Sequence, residues 1–141
     1  MAFIREEIVH VKGFPKKLIV FLHGYIDSCE SLNRRIVTFL NSMNDVAIHL
    51  PEAPVKCEIY DRKRQWFSMH RFDPDDRRKT VPTMEECAQI YARMEKGFSE
   101  CYHYLSDYIE TAINEYQLSP QNVFLCGFSQ GAMLALYTAL R

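Results

Sequence analysis

Ser129 is the side chain of this sequence best suited to nucleophilic attack on a carbonyl carbon. It lies in the pentapeptide Gly127-Phe128-Ser129-Gln130-Gly131, with a glycine two positions away on either side. An attacking serine must stand clear of its own backbone, and flanking glycines permit the sharp turn that exposes it. A pattern with three fixed positions is weak by itself, because at a glycine usage of about 7% chains of this length match it by accident on the order of a few per cent of the time. The assignment of Ser129 as a nucleophile therefore depends on the strands and helices predicted around it.

The segments on either side of this pentapeptide predict a strand, a sharp turn and a helix. Residues 123–126 form an apolar run, and an apolar-periodic segment follows Gly131. Two further apolar runs, residues 17–22 and 46–50, predict buried strands, the first of them central in a parallel sheet. A serine on the turn after a parallel strand is the setting in which this pattern carries chemistry.

Two helices are predicted between these strands. Asp27 followed by Glu30 resembles a capping box, and the spacing of apolar residues then predicts a helix from about residue 29 to residue 42. From Met84 the pattern is helical again, with Gly97 as a position at which the helix could break or bend. Its apolar stripe consists of Phe98, Cys101, Tyr102, Leu105, Tyr108, Ile109, Ala112, Ile113 and Tyr116. Strand, helix and strand in this order predict a right-handed crossover.

Two segments fit this alternation less well. Residues 3–11 mix β-branched and charged residues, which predicts a strand at the edge of the sheet. Residues 53–82 form a charged excursion that also contains Trp66 and Phe67. Long excursions of this kind commonly carry function.

The composition favours a globular domain and excludes several classes of function. The 141 residues are 48% hydrophobic and 13% aromatic, which is enough to fill one core. The formal net charge of -1 attracts neither nucleic acid nor an anionic membrane, so we predict no nucleic-acid partner. Arg5, Glu6 and Glu7 interrupt any N-terminal apolar run, which predicts a cytoplasmic protein.

The five cysteines form no C-x-x-C pair, which predicts reduced, mostly buried thiols, and we expect neither a metal nor a cofactor.

Four motifs in chain order give this sequence a resemblance to a known family. They are FLHGYIDS at residues 21–28, LPEAP at 50–54, RQWFSM at 64–69 and VFLCGFSQGAML at 123–134. Together they resemble the phospholipase/carboxylesterase family of α/β-hydrolases, which includes bacterial carboxylesterases and acyl-protein thioesterases. The resemblance implies an α/β-hydrolase fold, with a mostly parallel sheet and helices on both faces, and the activity of a serine carboxylesterase or thioesterase. We predict that residues 1–141 form a single unit, the N-terminal part of such a domain.

The resemblance also assigns roles to residues of this sequence. Ser129 matches the nucleophile on its elbow, and the main-chain amides of Gln130 and Tyr25 match the two donors of the oxyanion hole. The helix dipole at Gln130 also favours developing negative charge. His23 is then a structural residue that orients a loop.

A second group of residues is expected to contact the substrate. Trp66 and Phe67 match an aromatic pair near the acyl groove, although a buried aromatic cluster explains them equally well. Gly24 and Ile26, in the turn that contains Tyr25, are expected to line the same site.

Two positions depart from the family pattern. Ile26 stands where the family usually has a second glycine, which predicts a stiffer or redirected oxyanion loop. Ser68 stands where the family has an aspartate, which leaves the local loop contacts open. Neither departure removes the nucleophile.

The remaining members of a catalytic triad present a larger difficulty. In this fold the acid and the histidine follow the serine along the chain, yet residues 130–141 contain no Asp, Glu or His. We therefore expect a fold truncated after the helix that follows the elbow. Of the upstream residues His10, His49, His70 and His103, only His70 could stand in as the base, and a solvated loop histidine is the preferred interpretation.

Two hypotheses from different classes follow. In the first, the protein hydrolyses a small acyl ester or thioester, an acylated protein or a lysophospholipid through an acyl-enzyme on Ser129. In the second, it is a catalytically inert fragment that associates through the open edge of the strand at residues 123–126, with a second copy of the chain or a complementing C-terminal segment. A phosphate-binding role for residues 127–131 is weaker, because the pattern lacks the G-x-G-x-x-G spacing and a P-loop lysine.

Overall fold

Strands and helices alternate along the described part of the chain. The computed structural model describes residues 7–72 and 83–141, so the predicted strand residues 3–6 and the excursion residues 73–82 lie outside the description. The elements are β1 (Glu7–Lys12), β2 (Lys17–Leu22), α1 (Cys29–Leu40), β3 (Val46–Pro51), β4 (Val55–Lys56), β5 (Arg64–Gln65), α2 (Met69–Phe72), α3 (Met84–Tyr116), β6 (Val123–Gly127) and α4 (Gln130–Ala139).

Strand β2 lies at the centre of a four-stranded sheet with the order β1-β3-β2-β6. It pairs in parallel with β3 and with β6, whereas β1 pairs antiparallel with β3 at one edge. The predicted central strand, the predicted edge strand and the mostly parallel sheet are therefore confirmed. Within the described residues, β6 forms the opposite edge.

Alternate residues of β2 face two different hydrophobic clusters. Leu18, Val20 and Leu22 belong to the cluster that includes residues of α3 and α4. Ile19 and Phe21 pack on the other face, against the cluster of α1. Because both faces are covered, β2 is apolar at every position from Leu18 to Leu22, and this produces the uninterrupted run in the sequence. The helices on both faces confirm the predicted layers.

Helix α1 begins at Cys29, as predicted, and ends at Leu40, two residues before the predicted end, but Asp27 is not its cap. Its N-cap is Ser28, whose hydroxyl accepts the main-chain N–H of Ser31 at 3.2 Å. The prediction that Asp27 caps the helix was therefore wrong. The Asp27 carboxylate instead accepts a hydrogen bond from Arg35, and its carbonyl accepts the N–H of Arg64 at 2.9 Å. These tertiary partners occupy Asp27 and leave the cap to its neighbour.

Helix α3 runs without interruption for 33 residues. Its N-terminus carries a capping box, in which the Glu86 N–H donates to Thr83 Oγ1 at 3.2 Å and the Thr83 N–H donates to Glu86 Oε2 at 2.7 Å. Gly97 neither ends nor breaks the helix, because it lies on the buried side beside Met94 and Phe98, where packing offsets the glycine cost of about 1 kcal/mol. Across the described ranges, no helix combines the length and the apolar character needed to cross a membrane.

The excursion after β3 contains a short hairpin. Val55 of β4 pairs with Gln65 of β5, and Lys56 pairs with Arg64. The chain then returns to the core through Trp66 before the single turn of α2. The hairpin therefore leads directly into Trp66 and Phe67, which lie in the interior.

The five cysteines are all free thiols. Cys29, Cys57 and Cys101 are buried, and the other two are half-buried. Burial raises the pKa of the Cys101 thiol to about 12, so this group is a neutral donor to the Trp66 carbonyl. The prediction of mostly buried cysteines is confirmed.

Candidate active site

Ser129 occupies an exposed and strained turn between β6 and α4, which we call the Ser129 turn (residues 127–131). Its φ of 51° and ψ of −119° lie in a region that non-glycine residues rarely adopt. Two main-chain hydrogen bonds hold the turn, from the Phe128 N–H to the Leu22 carbonyl at 3.0 Å and from the Gly131 N–H to the Phe128 carbonyl at 3.0 Å. Strain of this kind costs about 1–3 kcal/mol and persists where the surroundings enforce it.

The two glycines of the Ser129 turn allow main-chain segments to approach closely. A Cβ atom added to Gly127 would lie 2.4 Å from the carbonyl group of Gly131. A Cβ atom added to Gly131 would lie 2.4 Å from the carbonyl oxygens of both Leu22 and His23. Neither position can accept a side chain, because the obstructing atoms belong to the backbone. The spacing recognised in the sequence therefore has a direct steric cause.

Gln130 is the first residue of α4 and contributes to the site in two ways. The first N–H groups of a helix have no acceptor within the helix, and the helix dipole adds positive potential there. The predicted main-chain donor is thus at a position that suits an anion. Its side chain is buried, with Oε1 accepting the Trp66 N–H at 2.9 Å and Nε2 donating to the Phe67 carbonyl at 3.0 Å. The sequence did not predict these two hydrogen bonds of the Gln130 side chain. The one indication of them was a polar residue within an apolar motif.

The turn after β2 lies directly against the Ser129 turn. A Cβ atom added to Gly24 would lie 3.4 Å from Ser129 Cβ and 3.1 Å from Phe128 Cδ1. The adjacent residue, Tyr25, is the second predicted oxyanion donor. The structure thus places Gly24 beside Ser129, and Tyr25 follows Gly24 in the same turn.

His23 is fully buried beneath this turn and has partners on both ring nitrogens. Its Nδ1 lies 2.8 Å from the Gly24 carbonyl oxygen, and its Nε2 lies 2.8 Å from Glu52 Oε1. The His23 carbonyl oxygen accepts the indole N–H of Trp66 at 2.8 Å. Burial acts to raise the pKa of Glu52, but its contact with His23 and the hydrogen bonds from Cys29 together outweigh that effect and hold the pKa below its ordinary value. These contacts agree with the structural role predicted for His23.

Ile26 adopts a left-handed conformation with a φ of 58°. A β-branched residue at positive φ is a genuine outlier, because its Cβ crowds the following carbonyl. The next residue, Asp27, anchors the turn through Arg35. Burial acts to raise the pKa of Asp27, but the hydrogen bonds from Arg35, Ser28 and Ser31 and the charge of Arg35 together outweigh it, so the pKa lies below its usual value. Ile26 therefore adopts, under strain, a conformation that glycine would adopt without strain.

Glu58 is a connecting residue that sequence reasoning did not identify. Its carboxylate accepts the Tyr25 hydroxyl at 3.0 Å, the Ser68 hydroxyl at 2.5 Å and the His70 N–H at 2.9 Å. It also accepts Gln65 Nε2 at 3.3 Å. Burial acts to raise the pKa of Glu58, but the hydrogen bonds, led by that of Ser68, lower it. Glu58 therefore ties the predicted oxyanion loop to the start of α2.

Ser68, which stands where the family has an aspartate, makes two hydrogen bonds through its side chain. Its hydroxyl donates to Glu58 and accepts the Arg71 N–H at 3.0 Å, as an N-cap does at the start of a helix. The loop contacts that the sequence left open are thus made through the serine hydroxyl.

Trp66 and Phe67 are buried, with exposures of 0% and 2%. The Phe67 ring packs edge to face on Phe98, with ring centroids 5.1 Å apart. Both side chains also line a cavity of about 440 Å³ between the excursion and α3, together with Val55 and Tyr104. The residues around this cavity do not include Ser129. The pair is thus part of the core, and its contact with a substrate stays a prediction.

The four other histidines lie in separate environments. His49 is buried, with Nδ1 2.7 Å from the Tyr108 hydroxyl and Nε2 2.9 Å from the Tyr116 hydroxyl. His10 Nε2 is 2.6 Å from Asn33 Oδ1, and the remaining two, His70 and His103, are exposed. No hydrogen bond recorded for residues 7–72 and 83–141 joins any of them to the Ser129 hydroxyl.

Comparison with known proteins gives this geometry a context. The family model described as phospholipase/carboxylesterase matches residues 4–141. The crystal structure of esterase PE8 is similar at 27% sequence identity with a TM-score of 0.73, over 96% of this chain and 56% of that one. The crystal structure of Zea mays acyl-protein thioesterase 2 is similar in fold, at 20% identity with a TM-score of 0.58, over 95% of this chain and 50% of that one.

These similarities confirm the predicted fold class, an α/β-hydrolase-like arrangement with a mostly parallel sheet. The chain spans about half the length of the two solved structures that it matches. The comparisons do not assign roles to individual residues of this chain, so those roles stay predictions from geometry and sequence.

Proposed function

This chain belongs to the phospholipase/carboxylesterase family, and on that premise we propose that it supplies the nucleophile of a serine hydrolase that cleaves carboxylic esters or thioesters. The observation that carries the proposal is the strained, exposed conformation of Ser129 at the junction of β6 and α4. A serine held at positive φ there is a nucleophile elbow, in which the hydroxyl projects away from the sheet.

In the proposed reaction, Ser129 Oγ attacks the carbonyl carbon of the substrate and its proton passes to a base. The carbonyl oxygen becomes negatively charged and is held by the main-chain N–H groups of Gln130 and Tyr25. Collapse of this intermediate breaks the bond to the leaving oxygen or sulfur, which takes up the proton. Water then attacks the acyl-enzyme in the same way and releases the carboxylic acid and free Ser129.

The acid and the base of the triad are proposed to come from outside residues 1–141. No Asp, Glu or His follows Ser129 in this sequence, and His23 is occupied by buried partners. Without a base, serine reactivity falls to the residual contribution of the oxyanion hole and substrate binding. We accordingly propose that residues 1–141 form the N-terminal part of one α/β-hydrolase domain.

The substrates proposed are a small acyl ester or thioester, an acylated protein or a lysophospholipid. Gly24 is proposed to contact the reacting group, because it packs beside Ser129. Ile26, Trp66 and Phe67 are proposed to shape the acyl site from the loop and from the core. A cytoplasmic location is part of the same proposal, and subcellular fractionation of the native protein tests it.

A fluorophosphonate probe followed by peptide mass spectrometry tests the assignment of Ser129. We expect modification of Ser129 in the 141-residue chain to be slow, and modification of a longer form that includes the triad partners to be much faster. Ser129→Ala should abolish labelling, whereas the exposed Ser42→Ala should leave it unchanged. Absence of label on Ser129 in the longer form would refute the proposal.

The second candidate function is association through the outer edge of β6. Within the described residues this strand pairs only with β2, and its own Phe124 is 47% exposed. In the following helix α4 and at its C-cap, Leu136 and Leu140 are 63% and 75% exposed. An open strand edge flanked by exposed apolar side chains favours pairing with another chain. The partner proposed is a second copy of this chain or a complementing C-terminal segment.

Analytical ultracentrifugation of the 141-residue chain distinguishes this candidate. We expect a dimer or larger species, which Phe124→Lys should shift toward monomer. Phe39→Lys, an exposed apolar position on α1, is the matched control and should leave the sedimentation unchanged. A monomer that hydrolyses esters would exclude the inert alternative.

A further inference from the structure

Glu52 is a buried carboxylate that the proposed chemistry does not use. It follows β3 and is 7% exposed. Its Oε1 accepts the main-chain N–H of Cys29 at 3.1 Å, and its Oε2 lies 3.5 Å from the Cys29 thiol. A buried carboxylate is costly unless it is paired and hydrogen-bonded. The remaining partner of Glu52, 2.8 Å away, is Nε2 of His23.

The other nitrogen of His23 determines the orientation of one particular peptide group. Nδ1 lies 2.8 Å from the Gly24 carbonyl oxygen, and because a carbonyl oxygen can only accept, Nδ1 must carry a proton. The Gly24 carbonyl belongs to the same planar peptide as the N–H of Tyr25. Holding this carbonyl therefore fixes the direction in which the Tyr25 N–H points.

The preceding peptide is fixed in a similar way. The His23 carbonyl oxygen accepts the Trp66 indole N–H at 2.8 Å. Two consecutive peptides of the turn are thus tied to buried side chains. Only the second of them carries the N–H that the proposed oxyanion hole needs.

Two protonation states compete at Nε2 of His23. An ionised Glu52 requires a proton on Nε2, and since Nδ1 is also protonated the ring is then an imidazolium. The main-chain N–H of Ala53 points at the same Nε2 from 3.0 Å, which suits a neutral ring with a lone pair there. The short contact of Glu52 with Nε2, and the two hydrogen bonds that its oxygens accept from Cys29, favour the ion pair although burial opposes it.

We propose that Glu52 is a positioning residue, which holds His23 as an imidazolium so that Nδ1–H locks the Gly24–Tyr25 peptide and directs the Tyr25 N–H toward the reacting carbonyl oxygen. This inference rests on the proposed function of Ser129. It adds to the proposed site a charged residue, Glu52, which lies 77 positions before Ser129 in the sequence. The ion pair fixes the orientation of the Tyr25 N–H before the reaction begins. An oxyanion donor that is fixed beforehand does not have to reorganise during the reaction.

Nuclear magnetic resonance of the full 141-residue chain tests the positioning role without any need for catalysis. Histidine labelled with ¹⁵N reports whether Nε2 of His23 carries a proton, and the amide signal of Tyr25 reports the orientation of its peptide. We expect a protonated Nε2 in the unmodified protein. Glu52→Gln should remove that proton and shift the Tyr25 amide signal, while Glu52→Asp should restore part of both. Glu30→Gln, which changes an exposed glutamate of α1, is the matched control and should change neither.

The rate of fluorophosphonate labelling at Ser129 supplies the functional measurement. We expect a loss of about tenfold or more in Glu52→Gln relative to Glu30→Gln, because a misdirected oxyanion donor loses part of the 10²–10³-fold that such a donor contributes. A lone-pair Nε2 in the unmodified protein would overturn the proposal even if the variants failed to fold. An unchanged labelling rate in a folded Glu52→Gln protein would overturn it too. If Ser129 is unlabelled in every form, the proposed function fails, while the ¹⁵N signals still decide whether Glu52 controls the Tyr25 peptide.

Discussion

The side chain of Gln130 and the main chain of Trp66 are joined by a buried hydrogen bond, in which the Trp66 N–H donates to Gln130 Oε1 at 2.9 Å. Nε2 of the same side chain donates to the Phe67 carbonyl at 3.0 Å. One residue at the start of α4 thus satisfies two main-chain groups of the segment after β5. The Ser129 turn and the aromatic pair are therefore parts of one connected structure.

Gln130→Glu should lower the free energy of unfolding by about 2–3 kcal/mol. The substitution keeps the shape and the acceptor for Trp66 but removes the donor to Phe67, and a buried acceptor left unsatisfied costs about 1–3 kcal/mol. Burial of the new carboxyl group adds to the loss. Urea unfolding at neutral pH measures the change. Gln121→Glu makes the same chemical change at an exposed position and should stay within about 0.5 kcal/mol of the parent. Equal effects of the two substitutions would show that the buried hydrogen bonds of Gln130 do not contribute to the free energy of unfolding.

The left-handed Ile26 predicts that glycine will be more stable than alanine at this position, by about 1 kcal/mol. Both variants remove the rest of the isoleucine side chain, so their difference isolates the strain of a Cβ atom at a φ of 58°. Urea unfolding of the two variants gives this difference directly. At the exposed helical position Leu136, the order should be reversed, with alanine more stable than glycine by about 1 kcal/mol. Alanine above glycine at both positions would contradict the strained turn.

The glycines around Ser129 should separate effects on stability from effects on reactivity. Gly131→Ala forces a Cβ atom to within 2.4 Å of two carbonyl oxygens, so we expect a loss of about 3 kcal/mol or more, or failure to fold. Gly24→Ala meets the exposed Phe128 side chain at 3.1 Å, which can move, so its stability loss should be below about 1 kcal/mol. Its new methyl group lies beside Ser129 and should slow fluorophosphonate labelling by about tenfold or more. Urea unfolding and labelling kinetics on the same samples check both statements. A Gly24→Ala protein with unchanged labelling would show that this turn does not border the reactive serine.

The sheet and the Ser129 turn could be predicted because their causes are local. Strand β2 is apolar at consecutive positions since both of its faces are covered, and the spacing of Gly127 and Gly131 follows from the close approach of backbone segments. Such constraints leave a pattern in the adjacent sequence. The start of α3 at Met84 was likewise predicted from the helical pattern, although the capping box of Thr83 and Glu86 was not.

The supporting contacts of the site could not be predicted, because their partners are distant along the chain. Gln130 lies 64 residues from Trp66, and a glutamine in a sequence is normally taken as exposed. Glu52 and Glu58 likewise gave no signal that distinguished them from surface carboxylates. The choice between Asp27 and Ser28 as the cap of α1 was decided by Arg35, a tertiary partner of Asp27, since both residue types are good caps.

The buried His49 should make the protein less stable as the pH falls below about 6.5. Burial lowers its pKa from the ordinary value of 6.5, although the nearby carboxylates of Glu7 and Glu115 partly oppose this effect. The unfolded chain therefore binds the proton before the folded protein does, so the free energy of unfolding is highest above pH 6.5 and declines as the pH falls toward the folded pKa. His49→Gln can still form hydrogen bonds with the hydroxyls of Tyr108 and Tyr116 but does not titrate, so it should lose less stability between pH 7.5 and pH 5.5 than the parent does. Urea unfolding at several pH values measures this difference, and His103→Gln, at an exposed position on α3, should retain the pH dependence of the parent. Identical pH profiles for the parent and His49→Gln would mean that the buried imidazole takes up its proton as readily in the folded protein as in the unfolded chain.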